Sequence, residues 1–229
     1  MRKQQQVWKE EHKNSQAIPS LAEAEPSGMI VEFVELLKSK GITSGKVIDI
    51  GCGKGRNSVY LARQGFEVFA ADYIKEALEK AKELATANKL ENKIHFINSE
   101  IDKPWPFEDN FFDIAVDCFS SIDIETKDGR EVYRKEMLRT LKSGGLVLVS
   151  VVSSEDVIEK EFLKSSPGKE KNSTIWPNGK FQKDYDEDEL REFYKDFEIL
   201  ELKEVKKSAF KLAKKYTATN FYLVLRKAT

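Results

Sequence analysis

Residues 47–62 read Val-Ile-Asp-Ile-Gly-Cys-Gly-Lys-Gly-Arg-Asn-Ser-Val-Tyr-Leu-Ala, and this stretch decides the fold. Val47–Ile50 suits a buried strand carrying one acid. Gly51, Gly53 and Gly55 then turn the chain, and an apolar helical pattern follows. Glycine permits dihedrals closed to other residues and lets a ligand approach the backbone. Asp49, two residues ahead of the first glycine, sets this turn apart from a plain dinucleotide loop. A carboxylate there suits a cationic or hydroxylated ligand and opposes a pyrophosphate.

Outward from the turn, strands and helices alternate. Upstream, Gly28–Lys40 has apolar residues at Met29, Ile30, Phe33, Val34 and Leu37, a helical spacing. Downstream, the pattern predicts helix 56–64, strand 66–71 closed by Asp72, helix 75–88, strand 93–98, a loop over 102–110, strand 111–119, helix 129–141 and strand 146–152. Continuous apolar strands separated by helices imply a parallel sheet covered on both faces. Residues 153–183 break the rhythm and read as an insertion or lid. Helix 186–194 follows. Strands 198–206 and 220–227 have no strong helix between them, so they pair antiparallel at one edge. The fold class is therefore α/β, a seven-stranded mostly parallel sheet with an antiparallel last pair. The 229 residues read as a single domain, with an N-terminal extension or lid over 1–25, a core over 26–152, an insertion over 153–185 and a C-terminal helix and strand pair over 186–229.

Composition narrows the partners. The 38 Lys and Arg nearly balance the 39 Asp and Glu, which argues against a dedicated nucleic-acid or anionic-membrane binder. Cys52 and Cys118 are the only cysteines; with no disulfide framework they fit a reducing, cytoplasmic setting. No apolar run approaches the ~20 residues of a membrane span, and no metal-ligand cluster stands out.

In an open α/β sheet, ligands sit beyond the carboxyl ends of the strands. After the first strand comes the glycine turn. After the second comes Asp72, 23 positions beyond Asp49, where an acid commonly takes ribose hydroxyls; read alone it could equally cap the helix that follows. After the third come Glu100 and Ile101, and after the fourth Asp117-Cys118-Phe119. Together they describe a site for an adenosine ligand with a non-phosphate tail.

At this point the chain resembles the class I S-adenosylmethionine-dependent methyltransferases. The resemblance rests on Val47–Gly55, Asp72, Trp105-Pro-Phe107 before Phe111–Ala115, and Leu141-Lys-Ser-Gly-Gly-Leu146. It implies a three-layer Rossmann-like sandwich with S-adenosylmethionine as cofactor and S-adenosylhomocysteine as product. Residues 55–62 and 188–198 are most similar to the tellurite-resistance branch. That branch carries His and Arg before its final strand, whereas Lys206–Tyr216 here has neither, a departure that concerns the acceptor and not the cofactor. Carried over by position, Asp49, Gly51, Cys52 and Gly53 line the methionine end of the cofactor, with Arg56 and Asn57 nearby. Asp72 takes the ribose, Tyr73 packs on the adenine, Glu100 and Ile101 meet its edge, and Asp117, Cys118 and Phe119 form the inner wall.

The favoured expectation is methyl transfer to a small-molecule acceptor by in-line displacement. The alternatives are a methyltransferase acting on a protein or tRNA, and a nucleotide-dependent oxidoreductase. A soft nucleophile needs no base; a hydroxyl or amine does. His12, Asp117, Asp123 and Tyr185 are the candidates for that role. Residues 1–25 and 153–185 are expected to close over the site, with Trp8, Trp176 and Tyr185 as acceptor walls. His95 reads as structural, and the lysine-rich run 203–215 as a solvated face.

Overall fold

A computed structural model describes residues 3–14, 23–211 and 214–228; residues 15–22 of the expected N-terminal extension or lid lie outside them. The elements in chain order are α1 (Lys3–Asn14), α2 (Gly28–Ser39), β1 (Lys46–Ile50), α3 (Arg56–Arg63), β2 (Glu67–Asp72), α4 (Lys75–Ala87), β3 (Ile94–Asn98), β4 (Phe112–Cys118), α5 (Lys127–Thr140), β5 (Leu141–Val152), α6 (Val157–Ser165), β6 (Ser173–Ile175), β7 (Phe181–Lys183), α7 (Glu187–Phe193), β8 (Phe197–Lys211) and β9 (Lys214–Lys227). A 3₁₀ turn, Ser121–Asp123, follows β4.

The main sheet has seven strands in the order β3-β2-β1-β4-β5-β9-β8, and β6-β7 form a separate two-stranded ribbon. β1 pairs in parallel with β2 on one side and β4 on the other, Asp49 standing opposite both Ala70 and Val116. The chain walks outward from β1 to β3 and returns to β4, so the topological switch lies between β1 and β4 at the glycine turn. β9 is antiparallel to both β5 and β8. The α/β sheet with an antiparallel last pair is thus as the periodicity requires.

Both faces of the sheet are buried, which is why its strands read as unbroken apolar runs. Val47, Val68, Ile114 and Leu148 pack under α2, α3 and α4. Ile48, Ala115, Val147 and Leu223 face α5 and α7 on the other side. Local chemistry fixes the helix starts. The Thr126 side chain accepts from the Gly129 N–H at the head of α5, and Asp186 and Glu189 form a capping box on α7, both satisfying N–H groups that a helix start leaves unpaired.

Three elements differ from the sequence pattern. The N-terminal segment contains the twelve-residue helix α1; its polar composition hid it. β5 begins at Leu141 and not at residue 146, because Phe112 pairs with Leu141 before a register shift brings Ile114 opposite Leu146. Strands 198–206 and 220–227 extend into one long hairpin whose pairing continues to Lys211 opposite Lys214. The described part of the 203–215 run thus lies in this strand pair, with Lys206 and Lys207 exposed as a solvated face requires.

Candidate active site

A cavity of about 390 Å³ opens at the carboxyl ends of β1, β2 and β4. One end is built from the glycine turn. Gly51, Gly53 and Gly55 all have positive φ, at 66°, 55° and 83°. A Cβ on Gly51 would stand 2.1 Å from Ser120 Oγ, and one on Gly55 would stand 2.8 Å from the Ala81 Cβ of α4. The turn is thus pressed between the loop after β4 and helix α4, and only glycine fits.

Asp72, 5% exposed, closes the end of β2. Its Oδ2 accepts from the Gly53 N–H at 2.9 Å and its Oδ1 from the Ile74 N–H at 2.8 Å. It therefore ties the glycine turn to the head of α4 while lining the cavity. Burial pushes its carboxyl up to about 6, against those backbone bonds. Tyr73, Glu100, Ile101 and Phe119 line the same end.

Four other residues expected here stand differently. Asp49, 1% exposed, lies beneath the turn, where it accepts from Ser58 Oγ at 2.5 Å. Burial carries its carboxyl up to about 7, and Asp117 and Asp72 nearby add to that. Asp117 is fully buried and accepts from the Ser120 and Ser121 N–H groups and from Tyr133 Oη at 2.7 Å. It orders the turn after β4 and has no part in the cavity lining. Asn57 accepts from the Ser27 N–H, and Cys52 is buried behind the turn; neither lines the cavity. Arg56 does, held by Glu23 at 2.9 Å. Cys118 lines it too, but burial pushes its thiol up to about 12, which leaves no thiolate to act as a nucleophile.

The other end of the cavity is made by segments far from the motif. Trp8 and His12 enter from α1, Ile122 and Asp123 from the 3₁₀ turn, Trp176, Lys180 and Gln182 from the β6-β7 ribbon, and Lys207–Phe210 from β8. α1 is clasped across the opening. The Gln4 side chain donates to Phe181 O at 3.0 Å and accepts from Phe181 N at 2.9 Å, while Lys9 pairs with Glu76 on α4 at 3.0 Å. His12 stands over the turn, its Cε1 3.3 Å from where a Gly53 Cβ would be. Burial and the neighbouring Lys54 lower it to about 4, so it is neutral at pH 7. Its Nδ1 is buried with no hydrogen-bond partner among the described residues. Tyr185 is buried away from the cavity lining, with burial raising its phenol. The expected wall role of Tyr185 is therefore not seen. His95 lies on β3 against Phe69 and Glu67, outside the cavity.

A family model described as a methyltransferase domain matches residues 47–145, from the glycine turn into β5. The chain is similar to S-adenosylmethionine-dependent methyltransferases in sequence and in fold. The protein YqeM of Bacillus subtilis (strain 168) is 30% identical over 115 residues, covering 50% of this chain and 45% of YqeM. TehB of Haemophilus influenzae (strain 10810) is 27% identical over 169 residues, 72% of this chain and 50% of TehB. The chain spans about half the length of the curated relatives it matches. A SAM-dependent methyltransferase structure from Methanosarcina mazei superposes with a TM-score of 0.75 at 21% identity, covering 89% of this chain and 99% of that one, and shares the fold.

The methyltransferase residues fit S-adenosylmethionine on structural grounds. Asp72 and Glu100 line this end together with the glycine turn, which suits a ligand with an ammonium, a sulfonium and a ribose diol, and the Arg56 guanidinium that also lines it is held by Glu23. Sequence reasoning missed Gln4, Lys180 and the Lys207–Phe210 wall. The Trp176-Pro-Asn-Gly179 turn before Lys180 was the available signal for an inward-facing hairpin.

Proposed function

We propose that the chain transfers a methyl group from S-adenosylmethionine to a small-molecule acceptor. The observation that carries this reading is one continuous cavity that joins the glycine turn and Asp72 to a wall of Trp8, Trp176 and Lys180. Its about 390 Å³ is of the order of small-ligand pockets. A roof made by α1 opposes the alternative of a protein or tRNA acceptor, which would need an open approach.

When bound, S-adenosylmethionine supplies an already activated methyl group whose leaving group is a neutral thioether. What remains for the protein is placement, which contributes about 7–11 kcal/mol of barrier in well-oriented pairs. Asp72 would take the ribose hydroxyls, with Glu100 and Ile101 at the adenine edge and the glycine turn open to the amino-acid end. α1 and the 153–185 segment would exclude water above the acceptor and open for exchange. Two unpaired cysteines fit a cytoplasmic location; among the described residues no helix is long and apolar enough to cross a membrane.

Calorimetry with S-adenosylhomocysteine and with NAD tests the cofactor, and a screen of thiols, selenite, tellurite, amines, phenols and short RNAs, read by S-adenosylhomocysteine release, tests the acceptor. Binding of NAD in place of S-adenosylhomocysteine would overturn the reading in favour of an oxidoreductase.

A further inference from the structure

Lys180 is an ammonium buried where an acceptor would lie. The residue is 2% exposed. Its Nζ stands 3.0 Å from Asp123 Oδ1 and donates to Gln182 Oε1 at 2.7 Å. It also lies 4.1 Å from the centroid of the Trp176 ring and 5.5 Å from that of Trp8. All five side chains line the cavity.

Their placement is built rather than incidental. The Trp176-Pro-Asn-Gly179 turn closes through Trp176 N donating to Lys180 O at 2.7 Å and Lys180 N donating to Asn178 Oδ1 at 3.0 Å, with Gly179 at a φ of 85°. That turn brings the Trp176 ring against the Lys180 ammonium. Asp123 arrives from the loop after β4 and Trp8 from α1. Gln4 reaches both segments, donating to Asp123 O as well as pairing with Phe181. A buried ion pair contributes little net stability, and apolar replacements of similar volume usually match or exceed it. Stability therefore does not account for a charged pair at the centre of an apolar wall.

We propose that Asp123 and Lys180 form an acceptor-activating pair, and that the acceptor is a planar aryl alcohol stacked on Trp8 and Trp176. This rests on the methyltransferase reading above and names its acceptor class. Asp123 takes the proton of the aryl hydroxyl, and the oxygen keeps the O–H electron pair. The resulting aryloxide replaces the carboxylate as the partner of Lys180. One cation and one anion face each other before and after, so no net charge is added to the buried site. Once the oxygen is alkylated it is neutral, and Asp123 returns its proton to solvent. An amine acceptor would enter as a cation against Lys180, and a saturated alcohol is too weak an acid to ionise there, whereas an ordinary phenol ionises at about 10.

The test uses the full chain with S-adenosylhomocysteine present and 4-nitrophenol, whose neutral and ionised forms absorb at different wavelengths. We expect 4-nitrophenol to bind as its anion, with its ionisation midpoint lowered by about 1–3 pH units, as an opposite charge at contact distance produces. Lys180→Met is expected to abolish that lowering while S-adenosylhomocysteine still binds. Asp123→Asn is expected to slow methylation of weakly acidic phenols by about 10²–10⁴-fold, with the deficit shrinking as the phenol becomes more acidic. S-adenosylhomocysteine binding with an unmoved nitrophenol midpoint in the unsubstituted chain would overturn the pair alone, and needs no variant to fold. Absence of S-adenosylhomocysteine binding would overturn the methyltransferase reading itself, and the pair with it.

Discussion

The side-chain amide of Gln4 pairs with both backbone polar groups of Phe181, 177 residues away in the chain. It does for α1 what a neighbouring strand would do for β7. α1 has no apolar stripe to seat it, so this pairing and the Lys9–Glu76 contact hold the roof. Gln4→Ala removes these two hydrogen bonds and the longer one to Asp123 O and leaves the Phe181 N–H unsatisfied, a loss of about 2 kcal/mol. Hydrogen exchange in α1 should quicken by about 30-fold, with a parallel loss in S-adenosylhomocysteine affinity. Unchanged exchange would show that the roof is held elsewhere.

Gly51→Ala tests the cradle. An alanine there meets Ser120 Oγ at 2.1 Å and sits at a φ of 66°. Gly41 has a similar φ of 76° but nothing within 4 Å, so Gly41→Ala isolates the backbone cost of about 1–2 kcal/mol. Thermal unfolding should fall by several degrees, about 2–4 °C per kcal/mol for a chain of this size, for Gly41→Ala and clearly further for Gly51→Ala. Equal shifts would mean that the Ser120 contact yields freely.

The buried carboxyls set a pH dependence. Asp72 is raised from 3.8 to about 6 and Asp49 from 3.8 to about 7, both by burial. A carboxyl raised in the fold stabilises it fully below its unfolded value, and that contribution is lost as pH rises through the folded value. A ligand that needs the carboxylate has the opposite preference. S-adenosylhomocysteine affinity, measured by calorimetry, should therefore climb from pH 5 to 7 and level off above. Asp72→Asn should weaken binding by about 10–100-fold and flatten the part of the slope near 6.

His12 is lowered from 6.5 to about 4 by burial and Lys54. Its contribution to stability is whole above 6.5 and is lost as pH falls from there towards 4. The chain has two histidines, so imidazole NMR with His12→Gln for assignment reads it directly. The His12 resonance should hold its neutral shift at pH 6; a midpoint near 6.5 would place the ring in water.

That Gly51, Gly53 and Asp72 line one end of a cavity was legible because its signals are local. Gly51, Gly53 and Asp72 sit at strand ends that periodicity locates, and each needs its residue type at its own position. Whether an acid at such an end faces the cavity or the core depends on the pleat and on partners such as Ser58 and Tyr133, so Asp49 and Asp117 could not be told from Asp72. The opposite end of the cavity was not legible, because its meaning lies in long-range pairs. Lys180 is an ordinary surface residue until Asp123 and Trp8 are brought to it. α1 is a polar helix docked by long-range polar contacts of Gln4, Lys9 and Glu11, and Lys206 and Lys207 of β8 concealed the cavity-lining Lys207–Phe210 stretch.

The strand order β5-β9-β8 has a consequence for biosynthesis. β8 reaches the sheet only through β9, which is made after it and must lie between β8 and β5. While the ribosome has yet to release residues 214–227, the Lys207–Phe210 segment of β8 has no strand to stand against. Tyr222 and Val224 fill one layer of the core and Phe221, Leu223 and Leu225 the other, so premature termination within β9 should leave β5 with a bare edge and both layers incomplete.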